Sequence, residues 1–303
     1  MRRSCGGMNS TAWLMNSANQ HRKTRFSANN SSSSEIRKAV ILARGLGKRM
    51  RSPDATAQLA ADQMKAADAG MKAMIPIGRP FLDYVLSALA DAGFTEACLV
   101  VGPEHAAIRK YYQSISARRI EISFAIQEEP LGTANALLTA QQFAGREEFV
   151  VLNSDNYYPA EVFLALRMLG EPGLPAFERE TLVRESEIPL ERVLRYALLQ
   201  INAAGYLEKI IEKPDQMPER AVDGEVFISM NCWRFDAGIF HACEQVRRSA
   251  RGEYELPEAV QLGLSSLGLR FKAVPFRTGV LDLSHRSDIA HVARRLAGVE
   301  IKL

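Results

Sequence analysis

Residues 39–50 read Ala-Val-Ile-Leu-Ala-Arg-Gly-Leu-Gly-Lys-Arg-Met, an apolar run followed directly by a basic turn that contains two glycines. The apolar run 40–42 is typical of a buried parallel strand. Gly45 and Gly47 remove side chains where the backbone bends, so its N–H groups can approach an oxyanion. Arg49 adds a planar fork of donors. The segment predicts either an anion site at a strand end or an ordinary strand-to-helix turn with a solvated basic flank.

The first half of the chain alternates between strand and helix patterns. Strand-like runs lie at 37–43, 97–102, 121–126 and 148–153, and helical patterns lie at 81–92, 104–112, 133–143 and 160–169. This order predicts an α/β fold in which helices cover both faces of a mostly parallel sheet. Ligands bind beyond the carboxyl ends of such strands. The basic turn and the segments 127–133 and 154–156 all fall at predicted strand ends.

The second half has a mixed pattern. We expect a hairpin from 196–202 and 206–211, a strand run at 225–235, helices at 238–247, 256–265 and 287–297, and a strand at 269–276. Residues 54–70 have high helix propensity and end in glycine. They predict a helical insertion after the basic turn, which is either a lid or a plain surface helix.

Composition excludes several classes of protein. The 303 residues are 47% hydrophobic and 24% charged with a net charge of +3, and residues 1–34 hold five basic and no acidic side chains. The body is therefore near neutral, and we expect no nucleic-acid surface. No apolar run is long enough to span a membrane. The polar start predicts a disordered extension over residues 1–35.

Cysteine and histidine usage narrows the chemistry further. The four cysteines form no Cys-x-x-Cys pair, and Cys98 and Cys232 lie in apolar runs, which favours core positions and a reducing, cytoplasmic setting. The five histidines have no metal-ligand spacing. A Gly-x-Ser-x-Gly elbow, a P-loop and the third glycine of a dinucleotide fingerprint are all absent from the sequence.

Short motifs in a fixed order carry a more specific signal. They are Leu42–Met50, Lys72 with Ile75–Pro80, Gln127 with Pro130–Ala134, Asn153–Asp155, Glu212–Pro214, and Asp282. In this order and spacing, the chain resembles the sugar-1-phosphate nucleotidyltransferases, the uridylyl- and thymidylyltransferases that activate glucose-type sugars. The resemblance implies a Rossmann-like, three-layer, GT-A-like fold with a mixed, mostly parallel central sheet. It also implies one catalytic domain at 36–303, with a nucleotide-binding half at about 36–160 and a sugar-binding half at about 161–303.

The resemblance also implies a role for each matching side chain. Nucleotidyl transfer displaces pyrophosphate from an α-phosphorus, so such an enzyme mainly positions its reactants and neutralises charge. The expected groups are catalytic Arg49, Lys72 and Lys213; nucleotide-binding Ala43, Gly45, Gly47, Gln127, Gly132 and Thr133; sugar-binding Glu212 and Asn231; and Mg²⁺-binding Asp155 and Asp282.

Two of these expectations also follow from side-chain chemistry. The amide of Gln127 carries one donor group and one acceptor, which suits the edge of a pyrimidine. Mg²⁺ takes one or two protein carboxylates together with waters and phosphates, which suits Asp155 at the end of a buried strand, whereas Asp282 is assigned by the resemblance alone. A serine stands just before Asp155 where the family usually has glycine, and bulky Cys232 and Trp233 replace a glycine near Asn231.

The expected substrates are a nucleoside triphosphate, with UTP or dTTP favoured by Gln127, and a sugar 1-phosphate. Two alternatives stay open at this point. One is nucleotidyl transfer to a phosphorylated acceptor that is not a sugar. The other is a regulatory module of the same fold that senses nucleotide or sugar without catalysis. The sequence fixes no oligomeric state and is compatible with a homo-oligomer.

Overall fold

Four parallel strands form the first half of the central sheet, as the alternating pattern predicts. The computed structural model describes residues 35–212 and 225–303. The four strands are β1 (Lys38–Leu42), β2 (Glu96–Val101), β3 (Glu121–Ile126) and β4 (Phe149–Asn153). They lie in the order β3-β2-β1-β4, and every pairing among them is parallel. Their carboxyl ends therefore meet at one edge of the sheet.

Helices cover both faces of these strands. They are α1 (Lys48–Arg51), α2 (Ala61–Asp68), a 3₁₀ turn (Lys72–Met74), α3 (Phe81–Asp91), α4 (Ala106–Ser114), α5 (Thr133–Thr139) and α6 (Gln141–Ala144). Along β1, Ile41 is buried in one core cluster with α3, whereas Val40 is buried in a second cluster with α5. Successive side chains of a strand face opposite sides of the sheet, and this alternation gives the three predicted layers.

The second half extends the sheet with strands of mixed direction. Its elements are β5 (Asn156–Tyr157), α7 (Ala160–Met168), β6 (Gly173–Glu178), α8 (Arg179–Ser186), α9 (Leu190–Val193), β7 (Ala197–Ile201), β8 (Leu207–Ile211), β9 (Phe227–Ser229), β10 (Cys232–Phe235), α10 (Gly238–Gln245), α11 (Leu256–Ser266), β11 (Lys272–Phe276), β12 (Leu281–Asp282) and α12 (Asp288–Leu296). β10 pairs antiparallel with β4, and the sheet continues through β6, β9, β7 and β8. The predicted mixed sheet is confirmed.

The structure differs from the predicted elements at several places, among them the predicted helix 133–143, which is divided into α5 and α6, and the helices α8 and α9, which were not predicted. The run 225–235 is two strands, because Asn231 adopts a left-handed backbone with φ of 59° between them. The segment 54–70 is helical only over Ala61–Asp68. Strand β6 was not predicted, since Pro175 lies within it and proline cannot donate to a strand ladder. The predicted hairpin is present as β7 and β8.

The described residues bear on only part of the predicted domain organisation. Nearly all of the predicted extension, residues 1–34, lies outside the described residues. The division into a nucleotide half and a sugar half stays a prediction. Cys98 and Cys232 are buried, as expected for core residues. Within 35–212 and 225–303, every helix is too short or too polar to cross a membrane.

Candidate active site

Two cavities open at the carboxyl edge of the parallel strands and meet at Lys72 and Asp155. The first has a volume of about 220 Å³ and the second about 310 Å³, and both residues line both cavities. Asp155 follows β4, and Lys72 begins the 3₁₀ turn after the insertion. The meeting point therefore lies where the topology of a parallel sheet favours ligand binding.

The turn after β1 forms one wall of the first cavity. Ala43 and Gly45 line the cavity, whereas Gly47 does not. Gly47 precedes α1 with φ of 61°, and a Cβ there would collide with the backbone of Gly70. Gly47 therefore supports the close contact between the turn and the end of the insertion. Its predicted role in nucleotide binding stays a prediction.

Gln127 presents an acceptor to the first cavity. Its side chain is buried, and Nε2 donates to the carbonyl of Gly132 at 3.1 Å and to Oδ1 of Asn135 at 2.8 Å. A carbonyl must face the amide nitrogen, so these contacts fix the orientation of the amide. Both Nε2 protons are used within the protein. Oε1 accepts no hydrogen bond from the residues that the structure describes, and it remains the group available to a ligand.

The loop that opens α5 is tied to the start of α11. Gly132 lies at φ of 111° and ψ of 177°, a conformation that is essentially restricted to glycine. A Cβ on Gly132 would collide with the backbone of Tyr254. The hydroxyl of Thr133 accepts a hydrogen bond from the N–H of Leu256 at 2.8 Å. Thr133 thus caps α11, and it also lines both cavities.

Lys72 and Asp155 form an ion pair at the meeting point of the cavities. Nζ of Lys72 lies 2.8 Å from Oδ2 of Asp155, and both side chains are largely buried. Oδ1 of Asp155 accepts no hydrogen bond among the described residues. The pair therefore offers one cation and one unoccupied carboxylate oxygen to a ligand that reaches this point.

Asp282 reaches the same region from the other end of the chain. Its strand β12 pairs with β5, and the N–H of Leu283 donates to the carbonyl of Asp155 at 2.8 Å. Oδ2 of Asp282 accepts from Arg192 at 2.6 Å and from Tyr196 at 2.7 Å, while Oδ1 accepts from Ser284 at 2.8 Å. The two predicted metal carboxylates thus lie on adjacent backbone segments.

The environment of Asp282 keeps its carboxylate ionised. Burial alone would raise the pKa of Asp282, but Arg192, Tyr196 and Ser284 together hold it below the ordinary value. Burial, reinforced by the neighbouring carboxylate, raises the pKa of Tyr196, so its hydroxyl stays a donor. Arg192 also binds Asp288 at 2.8 Å. This arginine was missed from the sequence, because nothing in its own helix points to residues ninety positions away.

The two carboxylates fit a magnesium ion better than a metal held by protein alone. Mg²⁺ keeps several waters and uses one or two carboxylates together with phosphate oxygens. Asp155 has a free oxygen, and Oδ1 of Asp282 keeps a second lone pair beyond the one that Ser284 occupies, whereas the hydrogen bonds from Arg192 and Tyr196 occupy Oδ2. No cluster of three or more His, Cys, Asp or Glu ligands occurs within the part of the chain that the structure describes. The donor set is therefore suited to Mg²⁺ bound together with phosphates.

The second cavity is lined by ionic and amide side chains. Of the predicted residues, Arg49, Glu212 and Asn231 line it, and Lys213 lies outside the described residues. The structure adds groups that the sequence did not assign: Arg195, Arg251, Glu253 and Glu255. Nε of Arg251 donates to Oε1 of Glu255 at 3.0 Å. For Glu253 and Glu255, the available signal was the segment 253–258, which resembles a loop of the family only loosely and was left unassigned; nothing in the sequence pointed to Arg195 or Arg251. All predicted residues within the described ranges, except Gly47, line one of the two cavities.

Comparison with known proteins bears directly on this arrangement. A model of the nucleotidyl transferase family matches residues 38–277, which include the lining of the first cavity, most of the lining of the second and most of the sheet, but not Asp282. The chain belongs to the nucleotidyl transferase family. The resemblance inferred from the motifs is confirmed, and the protein is a nucleotidyltransferase.

Individual relatives and solved structures agree with this family. UTP–glucose-1-phosphate uridylyltransferase AglF of Haloferax volcanii is 29% identical over 259 residues, which cover 85% of this chain and 96% of the relative. A glucose-1-phosphate thymidylyltransferase of Streptomyces antibioticus is 27% identical over 225 residues, covering 74% of this chain and 56% of the relative. A UDP-glucose pyrophosphorylase solved with UDP-glucose has a TM-score of 0.65 at 19% identity, over 88% of this chain and 100% of that one, and supports the fold.

Proposed function

We propose that this nucleotidyltransferase transfers a uridylyl or thymidylyl group from UTP or dTTP to a sugar 1-phosphate, with Mg²⁺ as cofactor. The observation that carries the proposal is the meeting of two cavities at Lys72 and Asp155. One cavity presents the amide of Gln127, and the other presents arginines, carboxylates and the amide of Asn231. A base and a phosphorylated polar acceptor would thus meet at a cation and a carboxylate.

The reaction that suits this arrangement is a direct displacement. An oxygen of the sugar phosphate attacks the α-phosphorus, the bond from that phosphorus to the bridging oxygen breaks, and pyrophosphate leaves. Charge builds up on the phosphoryl oxygens, so positioning and neutralisation supply most of the catalysis. Mg²⁺, held by Asp155 and Asp282 when bound, would neutralise part of this charge. No covalent intermediate with the enzyme is needed.

The cations have separable roles in this scheme. Lys72 lies at the junction and would hold the α-phosphate in both reactant and product. Arg49 opens into the second cavity from α1 and would bind phosphate there. Lys213 would orient the attacking phosphate, a role carried over from the family resemblance alone. Arg195 and Arg251 add positive charge along the wall of the same cavity.

The base and the sugar would be recognised by uncharged or acidic groups. Oε1 of Gln127 would accept a hydrogen bond from N3–H of uracil or thymine, since both protons of its Nε2 are already used. Glu212 and Asn231 would bind sugar hydroxyls in the second cavity. Glucose 1-phosphate is the first acceptor to test, because relatives such as AglF of Haloferax volcanii are named for it.

Pyrophosphate release measured with a panel of nucleoside triphosphates and sugar 1-phosphates tests the proposal. We expect turnover with UTP or dTTP that requires both Mg²⁺ and a sugar 1-phosphate. Asp155→Asn should abolish it without unfolding the protein, and circular dichroism provides the control for folding. Turnover only with a phosphorylated alcohol would identify a non-sugar acceptor. Binding without turnover for every pair, by folded protein, would instead indicate a regulatory module.

A further inference from the structure

Arg44 carries a buried donor that nothing in the described structure satisfies. Its side chain is only 8% exposed and lines the first cavity. Nε lies 3.2 Å from Oε1 of Glu104, and Nη2 donates to the carbonyl of Glu128 at 3.1 Å. Nη1 is buried and has no hydrogen-bond partner among the described residues. A buried unpaired donor is costly, so it marks a position where a ligand atom would be stabilised.

The guanidinium is held in place by its surroundings. Burial would raise the pKa of Glu104, but hydrogen bonds from its own backbone N–H and from Arg44 lower it, so the carboxylate stays ionised near neutral pH. Gly102 leaves room for the pair, because a Cβ at that position would collide with both side chains. With two of its nitrogens tethered, Arg44 has a restricted orientation. Its third nitrogen, Nη1, is the one left without a hydrogen-bond partner among the described residues.

The order of the strands separates the guanidinium of Arg44 from Asp155 across β1. Glu104 follows β2 and Glu128 follows β3, whereas Asp155 follows β4 on the opposite side of β1. Arg44 itself follows β1, and its guanidinium extends toward β2 and β3. If the phosphates lie at Lys72 and Asp155, the base lies on the side of β2 and β3. The edge of the base farthest from the ribose then faces Arg44.

Gln127 and Arg44 together present an acceptor and a donor in the same cavity. Uracil and thymine carry an N3–H donor beside the O4 carbonyl, whereas cytosine has an acceptor at N3 and an amino donor at position 4. We propose that Arg44 is a specificity-determining residue that donates from Nη1 to O4 of the bound uracil or thymine while Gln127 accepts from N3–H. This inference rests on the proposed function for its substrate. Arg44 would be a second polar side chain, besides Gln127, that recognises the base.

Such a pair selects between bases because a mismatched base leaves buried groups unpaired. A site built to bind a particular carbonyl strongly rejects an analogue that lacks it. For cytosine, the amino group would face the guanidinium and N3 would face the oxygen of Gln127. Both contacts would be repulsive. A 3,4-dihydro-4-deoxyuridine nucleotide lacks O4 but keeps N3–H, so it loses only the contact to Arg44 and is the sharper probe.

Calorimetric binding of UDP, 3,4-dihydro-4-deoxyuridine diphosphate (the 4-deoxy analogue) and CDP to the full chain tests the assignment. Wild-type protein should bind UDP at least tenfold more tightly than the 4-deoxy analogue, which corresponds to about 1.4 kcal/mol. Arg44→Ala should bring that ratio close to one. The matched control is Arg109→Ala, since Arg109 donates to the backbone of Gly102 at 2.8 Å without lining the cavity. This control should keep the wild-type ratio.

Three results would overturn the inference. One is equal binding of UDP and the 4-deoxy analogue by the wild-type protein, and this needs no variant to fold. Another is a parallel loss of affinity for both ligands in Arg44→Ala, which would indicate a general charge effect. The third is no binding of UDP at all. The outcome is separate from the proposed function: turnover with an unchanged ratio refutes only Arg44, whereas an Arg44-dependent ratio without turnover refutes only the transfer reaction.

Discussion

Replacing Arg192 by methionine would leave buried carboxylates without their cation. Arg192 contacts Asp282 at 2.6 Å and Asp288 at 2.8 Å, and the side chains of the arginine and Asp282 are only 14% and 5% exposed. Removing one partner of a buried ion pair costs about 3–5 kcal/mol. Tyr196 and Ser284 still donate to Asp282 in the variant. We therefore expect the lower end of that range, about 3 kcal/mol.

Urea unfolding at pH 7 measures this loss, and thermal unfolding gives a second estimate. For a protein of this size, a loss of about 3 kcal/mol lowers Tm by roughly 5 °C. Arg195→Met is the matched control, because Arg195 lies in the turn directly after α9, three residues from Arg192, and is exposed. It should change stability by less than about 0.5 kcal/mol.

A double-mutant cycle decides whether the ion pair is responsible. Asp282→Asn removes the charge that Arg192 neutralises, so the double variant should be clearly more stable than the sum of the single losses predicts, by about 1–3 kcal/mol. A loss below about 1 kcal/mol in Arg192→Met, or strict additivity in the cycle, would refute the reasoning. In that case the guanidinium would be no more than a solvated neighbour of the carboxylates.

Three further predictions concern catalysis, pH and the backbone. Lys72→Met should lower kcat for pyrophosphate release by about 10²–10³-fold while exposed Lys48→Met leaves it unchanged, and near-normal turnover in the former would contradict the role of Lys72. Hydrogen bonds from Glu180 and Thr181 outweigh the effect of burial and lower the pKa of Glu178 to about 2. The stability advantage of wild type over Glu178→Gln should therefore be complete above about pH 5 and disappear as the pH falls toward 2, and a pH-independent difference in urea unfolding would argue against it. Gly132→Ala should lose more stability than Gly145→Ala in the same assay, since both glycines have positive φ but only Gly132 faces a backbone collision; equal losses would contradict this.

The parallel half of the fold could be predicted because its strands are continuous apolar runs. Residues at the carboxyl ends of parallel strands converge, so Gln127 and Asp155 could be placed near the basic turn without a structure. β6 could not be recognised, since Pro175 interrupts its pattern. The structure accommodates this proline between the pairing of Gly173 with β10 and the pairing of Phe177 with β9, where that edge needs no N–H donor.

Residues of the candidate site could be predicted from the sequence only where they belong to a recognisable motif. Asp282 was found by resemblance, but the residues that surround it were not, because Arg192 lies in a short helix of ordinary composition. Arg44 belongs to the quoted turn, yet the sequence gives no hint that Glu104 and Glu128 orient it. Side-chain pairing between distant segments depends on packing geometry. Local patterns of residue type do not contain that information.

The short ladder between β5 and β12 determines when the site becomes complete during synthesis. Asp155 leaves the ribosome with the parallel strands, whereas Asp282 follows almost all of the remaining sheet. Contacts between segments far apart in the chain form slowly, because a long loop has to close first. A nascent chain therefore acquires the first cavity before it acquires both carboxylates. Under the proposed function, a chain that stops short of β12 would lack one of the two carboxylates for Mg²⁺, so it should bind nucleotide without consuming it.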